Sequence, residues 1–271
     1  MNLTIVRKAF VDSMCLLIAS CAVIILFEVL LANALATLAP ELIRLWSSIK
    51  FLQGLFKFTF HMDLAGDVSP VMLLGIGIAH PFLFAVSWGH FITFCTRIPV
   101  GEVDRGTADM LLGLPVSRSS IYLSNSLVCL CQLIPVTAAV WLGLWIGYQT
   151  VDLGAPFPKG RFVSATVNYG VLLLAICGVT YCASSFFNRR SVVIGIVLCL
   201  LLSSFLINVM EAFLPIVRKV GFLGLLSYHK PVEPIRDGAV SLRDLTVLGT
   251  IGVSTWLIGW WQFVRRDIPA A

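Results

Sequence analysis

Six apolar stretches, each long enough to cross a hydrocarbon layer, alternate with short polar passages along this chain. They fall at about residues 14–38, 71–94, 121–148, 163–187, 191–213 and 245–264. Before the first, residues 1–13 read as a short polar segment on the membrane surface. Between the first two, Leu42, Leu45, Trp46, Ile49, Leu52 and Phe56 recur at three- and four-residue steps, with Glu41, Arg44, Ser48 and Lys57 between them. That pattern predicts an amphipathic helix over 40–60, lying flat at the interface or packed on the outer ends of the spans. His80-Pro81 predicts a kink in the second span, which neighbours in a bundle tolerate. The fold class is therefore all-α: a polytopic membrane protein, a six-span helical bundle, organised as one transmembrane domain over 1–271.

Composition sharpens this. The chain is 58% hydrophobic and 12% charged, about half the charge of a soluble domain. The first apolar run has a basic start and Ala-x-Ala triplets near its end, as a cleaved leader has. It runs for about 25 residues against the 7–15 of a leader core, so it reads as a retained anchor. The net charge of +5 needs no nucleic-acid partner, because the basic residues are scattered between spans, where they meet lipid phosphates.

Six spans put both termini on one side. Arg7, Lys8, Arg97, Arg105, Arg118, Arg189, Arg190, Arg265 and Arg266 fall on the side of the termini, and ten basic residues fall on the other. The first set is packed into shorter segments, and two Arg-Arg pairs abut span ends. That favours cytoplasmic termini.

Little in the sequence suggests catalysis. There is no GxxxxGK[ST], HExxH, GxSxG or SxxK pattern. His80 and His90 are ten residues apart, which turns them to different helix faces. The eight cysteines lie in or at the edge of apolar runs without a CxxC pair, and they read as small apolar residues; no metal site is expected. Glu28 is the exception inside the spans. A carboxyl at that depth suggests substrate contact or a proton relay, but no second acid or paired base accompanies it. We read it as a protonated group hydrogen-bonded to another span. His80, His90, Asn125, Gln132 and Asn208 read as interhelical hydrogen bonders. Gly75, Gly77, Gly143 and Gly147 suit close helix packing.

The loop 97–120 stands apart. Glu102, Asp104, Arg105 and Asp109 lie within eight positions, beside Arg97 and Arg118. A short helix over 107–112 is framed by Gly106 and by Gly113-Leu114-Pro115. Met110, Leu111, Leu112 and Leu114 give it an apolar side, which serves either docking or rest on the membrane surface.

The run from Gly101-Glu102 through Arg105-Gly106-Thr107-Ala108-Asp109-Met110-Leu111-Leu112-Gly113-Leu114-Pro115-Val116-Ser117-Arg118 resembles the signature of type-two ABC exporter permeases. Three weaker features are also similar to that family: the polar segment ending Val68-Ser69-Pro70, Leu226-Ser227-Tyr228 with Gly238, and the final Phe263-x-Arg265-Arg266-Asp267. Ala108-Asp109 stands where that family usually has Leu-Glu.

The resemblance implies a permease subunit that carries a cytoplasmic coupling helix and pairs with a second copy. Glu102, Arg105, Gly106, Thr107, Asp109, Leu111, Leu112, Pro115 and Arg118 would then shape a docking surface for a separate ATP-binding-cassette ATPase. ATP and Mg would be bound by that partner, with no cofactor in this chain. The location implied is a bacterial cytoplasmic membrane, among lipids. Glu28, His80 and Gln132 are the candidate pathway or structural polar groups. An ATP-independent carrier, or a membrane anchor recruiting a soluble partner, are the competing readings. No feature selects a cargo.

Overall fold

The structure is a computed structural model that describes residues 2–49, 70–108, 110, 113, 115–154, 156–211 and 213–267. All the secondary structure in them is helical, and six of the helical segments are long and apolar enough to cross a membrane.

The first helix, α1 (Leu3–Ser48), is continuous for 46 residues. Residues 3–13 are therefore not a separate surface segment, and 40–48 do not begin a second helix; residues 50–60 of the expected 40–60 amphipathic helix lie outside the described residues. The reason is a stripe. Ala9, Ser13, Leu17, Ser20, Ile24, Glu28, Ala32 and Leu35 are all buried, at three- and four-residue steps. Its first turns are built from small and polar residues, which hides it from a count of apolar positions.

The second crossing is not one kinked helix but three pieces: α2 (Pro70–Leu73), α3 (Gly75–Ile78) and α4 (Pro81–Cys95). His80 is extended (φ −74°, ψ 134°) and caps α4, its Nδ1 accepting from Phe82 N at 3.1 Å. Pro81 at the first helical position has no N–H to lose and its φ suits a helix start, so it begins α4 rather than bending it. Irregular backbone at this depth is tolerable only when buried in protein. Val71 and residues 73–79 are buried, and His229 Nε2 donates to the freed Ile78 carbonyl at 3.3 Å.

A short α5 (Val100–Asp104) follows, then α6 (Arg118–Gln149), α7 (Lys159–Phe186) and α8 (Arg190–Met210). The far end carries α9 (Pro215–Arg218), two 3₁₀ turns (Gly221–Leu223 and Leu225–Tyr228) and α10 (Val232–Asp237) before α11 (Leu242–Arg265). Pro135 sits inside α6 without ending it. The most extensive interfaces join α7 to α11 and α1 to α6.

Both interfaces rest on glycine. A Cβ on Gly143 would lie 2.7 Å from the Cβ of Glu28, and one on Gly178 would lie 2.1 Å from the Gly252 carbonyl. The backbones approach this closely because those atoms are absent. α7 occupies the middle: Phe162, Ala165, Tyr169, Leu172, Leu173, Ala175 and Ile176 are wholly buried. α1, α8 and α11 turn Ile18, Leu26, Leu30, Leu202, Leu206, Val253 and Leu257 outward, as lipid-facing surfaces do.

Candidate docking surface and buried polar groups

One end of the bundle gathers the start of α1, the passage from α4 to α6, the α7–α8 turn and the end of α11. Arg97 pairs with Asp12 at 3.2 Å. Arg190 donates to Thr96 Oγ1 at 3.1 Å and to the Thr93 carbonyl at 3.0 Å. Arg118 donates to the Arg266 carbonyl. Arg266 in turn donates to the carbonyls of Ser185 (2.9 Å) and Phe187 (3.1 Å) and to Asn188 Oδ1. Burial works against the Arg266 charge and lowers its pKa from the usual arginine value; these bonds to backbone oxygens offset that cost. The two Arg-Arg pairs visible in the sequence thus each supply one arginine that ties span ends together.

The loop between α4 and α6 is locally closed. Its α5 is anchored by the buried Val100, whose N–H donates to Ser184 Oγ of α7 at 3.3 Å. The Glu102 carboxylate takes the Arg105 guanidinium and, at 2.5 Å, the Thr107 hydroxyl. Thr107 N–H returns to the Glu102 carbonyl at 3.0 Å. Gly106 makes the turn with φ 68°, a left-handed conformation that favours glycine.

The loop therefore presents Asp104, Arg105, Gly106, Met110, Gly113 and Pro115 outward, with Met110 79% exposed, while Ala108 is buried. Asp109, Leu111, Leu112 and Leu114 lie outside the described residues. Ser117 closes the loop by accepting from Ser120 N at 3.2 Å as the cap of α6. A groove of about 610 Å³ runs between this loop and the first turns of α1, lined by Lys8, Asp12, Arg97, Glu102, Arg105 and Met110 among others.

Deeper in the bundle, Gln132 sits in a chain of buried hydrogen bonds. Ser20 Oγ bonds His90 Nδ1 at 3.0 Å, and His90 Nε2 donates to Gln132 Oε1 at 3.0 Å. Gln132 Nε2 donates to Ser13 Oγ at 2.6 Å, and Ser13 Oγ donates to the Ala9 carbonyl at 2.7 Å. Each donor finds an acceptor, and the chain links α1, α4 and α6. Asn125 Nδ2 likewise donates to Tyr181 at 2.9 Å. His80 takes no part, being used as a cap.

Glu28 is different from its expected place in such a network. Its side chain is wholly buried, and among the described residues neither carboxyl oxygen has a hydrogen-bond partner. It is wedged where glycines leave room, since a Cβ on Gly77 would lie 2.2 Å from its Oε2. No polar side chain of α6 or α3 meets it, because both helices offer glycine at that level.

The family model for ABC-2 family transporter proteins matches residues 91–245, more than half of the chain. The match takes in the closed loop, α6, α7, α8 and the far-end turns. No curated protein matches the chain.

Proposed function

The chain belongs to the ABC-2 transporter family, and from that premise we propose that it is the permease of an exporter driven by a separate ATPase that docks on residues 97–120. Membership makes it a membrane-spanning ABC transporter permease, an integral membrane protein rather than an enzyme, and implies association with an ATP-binding-cassette subunit. The chain has no P-loop of its own. ATP and Mg therefore belong to the partner.

The observation that carries the docking proposal is the closed Glu102–Arg105–Thr107 turn with Met110 exposed beside it. A preorganised turn loses little conformational freedom on binding. An exposed apolar side chain among charges is the pattern of a docking element: the apolar group fills a cleft and the charges fix register. The end that bears it carries nine basic residues in short segments, which supports a cytoplasmic position for it and for both termini. Two copies with two ATPases make the simplest translocation unit.

A push on the loop has direct routes into the bundle: Val100 to Ser184 on α7, Thr96 to Arg190 on α8, and Arg118 to Arg266 at the end of α11. The double variant Glu102→Ala, Arg105→Ala opens the turn without touching the spans. In pull-downs it is expected to hold less of the ATPase, and its ATP turnover is expected to lose dependence on transport. Wild-type pull-down together with wild-type coupled turnover would remove this loop from the docking surface.

A further inference from the structure

Eight cysteines are spread over the chain, and the three that are buried, Cys95 on α4, Cys129 on α6 and Cys177 on α7, meet at one point. Their sulphurs all lie within 4.8 Å of one another, with Cys95–Cys129 at 3.7 Å and Cys129–Cys177 at 3.5 Å. Three thiols from three helices are thus held at the mutual spacing of ligands around one ion. We propose that these three residues form a sulphur-only site for a monovalent soft metal ion, Cu(I), bridging α4, α6 and α7.

The dimensions suit it. Metal–thiolate bonds of about 2.3 Å set sulphurs about 4 Å apart in a trigonal plane, close to the spacing found. The ligand number selects the ion. Structural zinc takes four ligands, and iron–sulphur clusters are held by four cysteines. Among the described residues no fourth His, Cys, Asp or Glu joins the group. His90 does not supply it, because Ser20 and Gln132 occupy both its ring nitrogens. Soft thiolates with low coordination favour Cu(I).

The Tyr181 hydroxyl accepts from Asn125 at 2.9 Å, which leaves its own proton to offer to a bound thiolate, and Tyr181 lines the same cavity as Cys129 and Cys177. An outer hydrogen bond of this kind orients a ligand and tunes the metal. A cavity of about 270 Å³ between α6, α7 and α11, lined by Cys129, Cys177, Ser126, Tyr181 and Trp256, adjoins the site. Binding releases thiol protons to the medium and changes no oxidation state. Cys95 lies two residues before the proposed docking loop, but the site uses none of the loop's residues and holds whether or not an ATPase binds there.

The test uses the purified full-length chain in detergent, reduced and anaerobic, titrated with Cu(I) against bicinchoninate. One tightly held Cu(I) per chain is expected, with an X-ray absorption first shell of three sulphurs. Cys129→Ser and Cys177→Ser lose that ion, Cys131→Ser and Cys199→Ser keep it, and Tyr181→Phe weakens it by about 10-fold. Cu(I) raises the thermal midpoint of the wild type and leaves that of Cys129→Ser unmoved. The absorption spectrum of the wild type decides the matter should the serine variants fail to fold. No Cu(I) retained against the chelator, nitrogen or oxygen in the first shell, or loss of the ion in Cys131→Ser or Cys199→Ser would each overturn the proposal.

Discussion

Replacing Glu28 by methionine should make this membrane protein more stable. Both carboxyl oxygens are buried without a hydrogen bond among the described residues, and a polar group left so costs about 1–3 kcal/mol. Methionine is close in length, unbranched and adaptable, and the wall it meets is the backbone of Gly77 and Gly143. Imperfect fit takes back up to about 1 kcal/mol. The net expectation is a gain of about 1–2 kcal/mol, or roughly 2–8 °C in thermal midpoint for a chain of this size. The assay is thermal unfolding of purified wild type and variant in one detergent, followed by tryptophan fluorescence. Glu28→Gln keeps polar atoms at the same place, so it should fold and assemble without that gain. A methionine variant less stable than wild type by about 1 kcal/mol or more would refute the reasoning, because it would mean that the carboxyl has partners whose loss outweighs its burial. Transport separates the roles. Variants that assemble normally yet fail to transport would show that an unfavourable group is retained because the cycle uses it.

Other interfaces give sharper losses. Gly178→Ala places a Cβ 2.1 Å from the Gly252 carbonyl and should cost about 2–3 kcal/mol as α7 and α11 are forced apart; Gly249→Ala, with nothing within 4 Å, should be neutral, and the difference in thermal midpoint checks both. Gln132→Leu strands His90 and Ser13 and should cost about 2–3 kcal/mol, with the Gln132→Leu, His90→Leu pair costing less than the sum of the singles in a double-mutant cycle. Arg266→Ala frees the Ser185 and Phe187 carbonyls and should leave ATPase binding intact while lowering transport-coupled ATP turnover.

The six crossings were legible because hydrocarbon demands long apolar runs, and that demand is written in one dimension. Where the sequence reading failed, the determinant was a partner on another helix. The extension of α1 back to Leu3 depends on Ala9, Ser13 and Ser20, whose burial reflects how closely α6 and α4 approach rather than their own hydropathy. The break at Ala79–His80 was marked by His80-Pro81, but a kink and a full stop share the same dipeptide; His229, far along the chain, satisfies the carbonyl that a stop exposes. In the loop, the short-range pairing of Glu102 with Arg105 and Thr107 lies within reach of a sequence reading. The arginine ties from Arg190 and Arg266 do not. Nor does the meeting of Cys95, Cys129 and Cys177, because each comes from a different helix and no local spacing records it.

The break in the second crossing bears on how a displaced loop would act on the spans. α4 is a continuous piece of 15 residues, about 22 Å long, with the loop at one end and the extended His80 at the other. The loop end is fixed to α8 by Arg190 and to α7 by Val100. The other end meets the Ala79–His80 turn and is held to α7 by Tyr169, which bonds Ser87 and the Leu83 carbonyl, next to the level at which Glu28 faces Gly77. A helix packed on α7 at both ends moves with α7, and the backbone dihedrals at Ala79–His80 are where it changes direction relative to α3. His80→Ala with Pro81→Ala removes the cap and restores the missing N–H, which favours a helix running on through the break. The double variant is expected to bind the ATPase as wild type does and to hydrolyse ATP without transport. If it transports at the wild-type rate with wild-type coupling, then α4 does not pivot at His80, and the break serves only to let the crossing pass between α1 and α7.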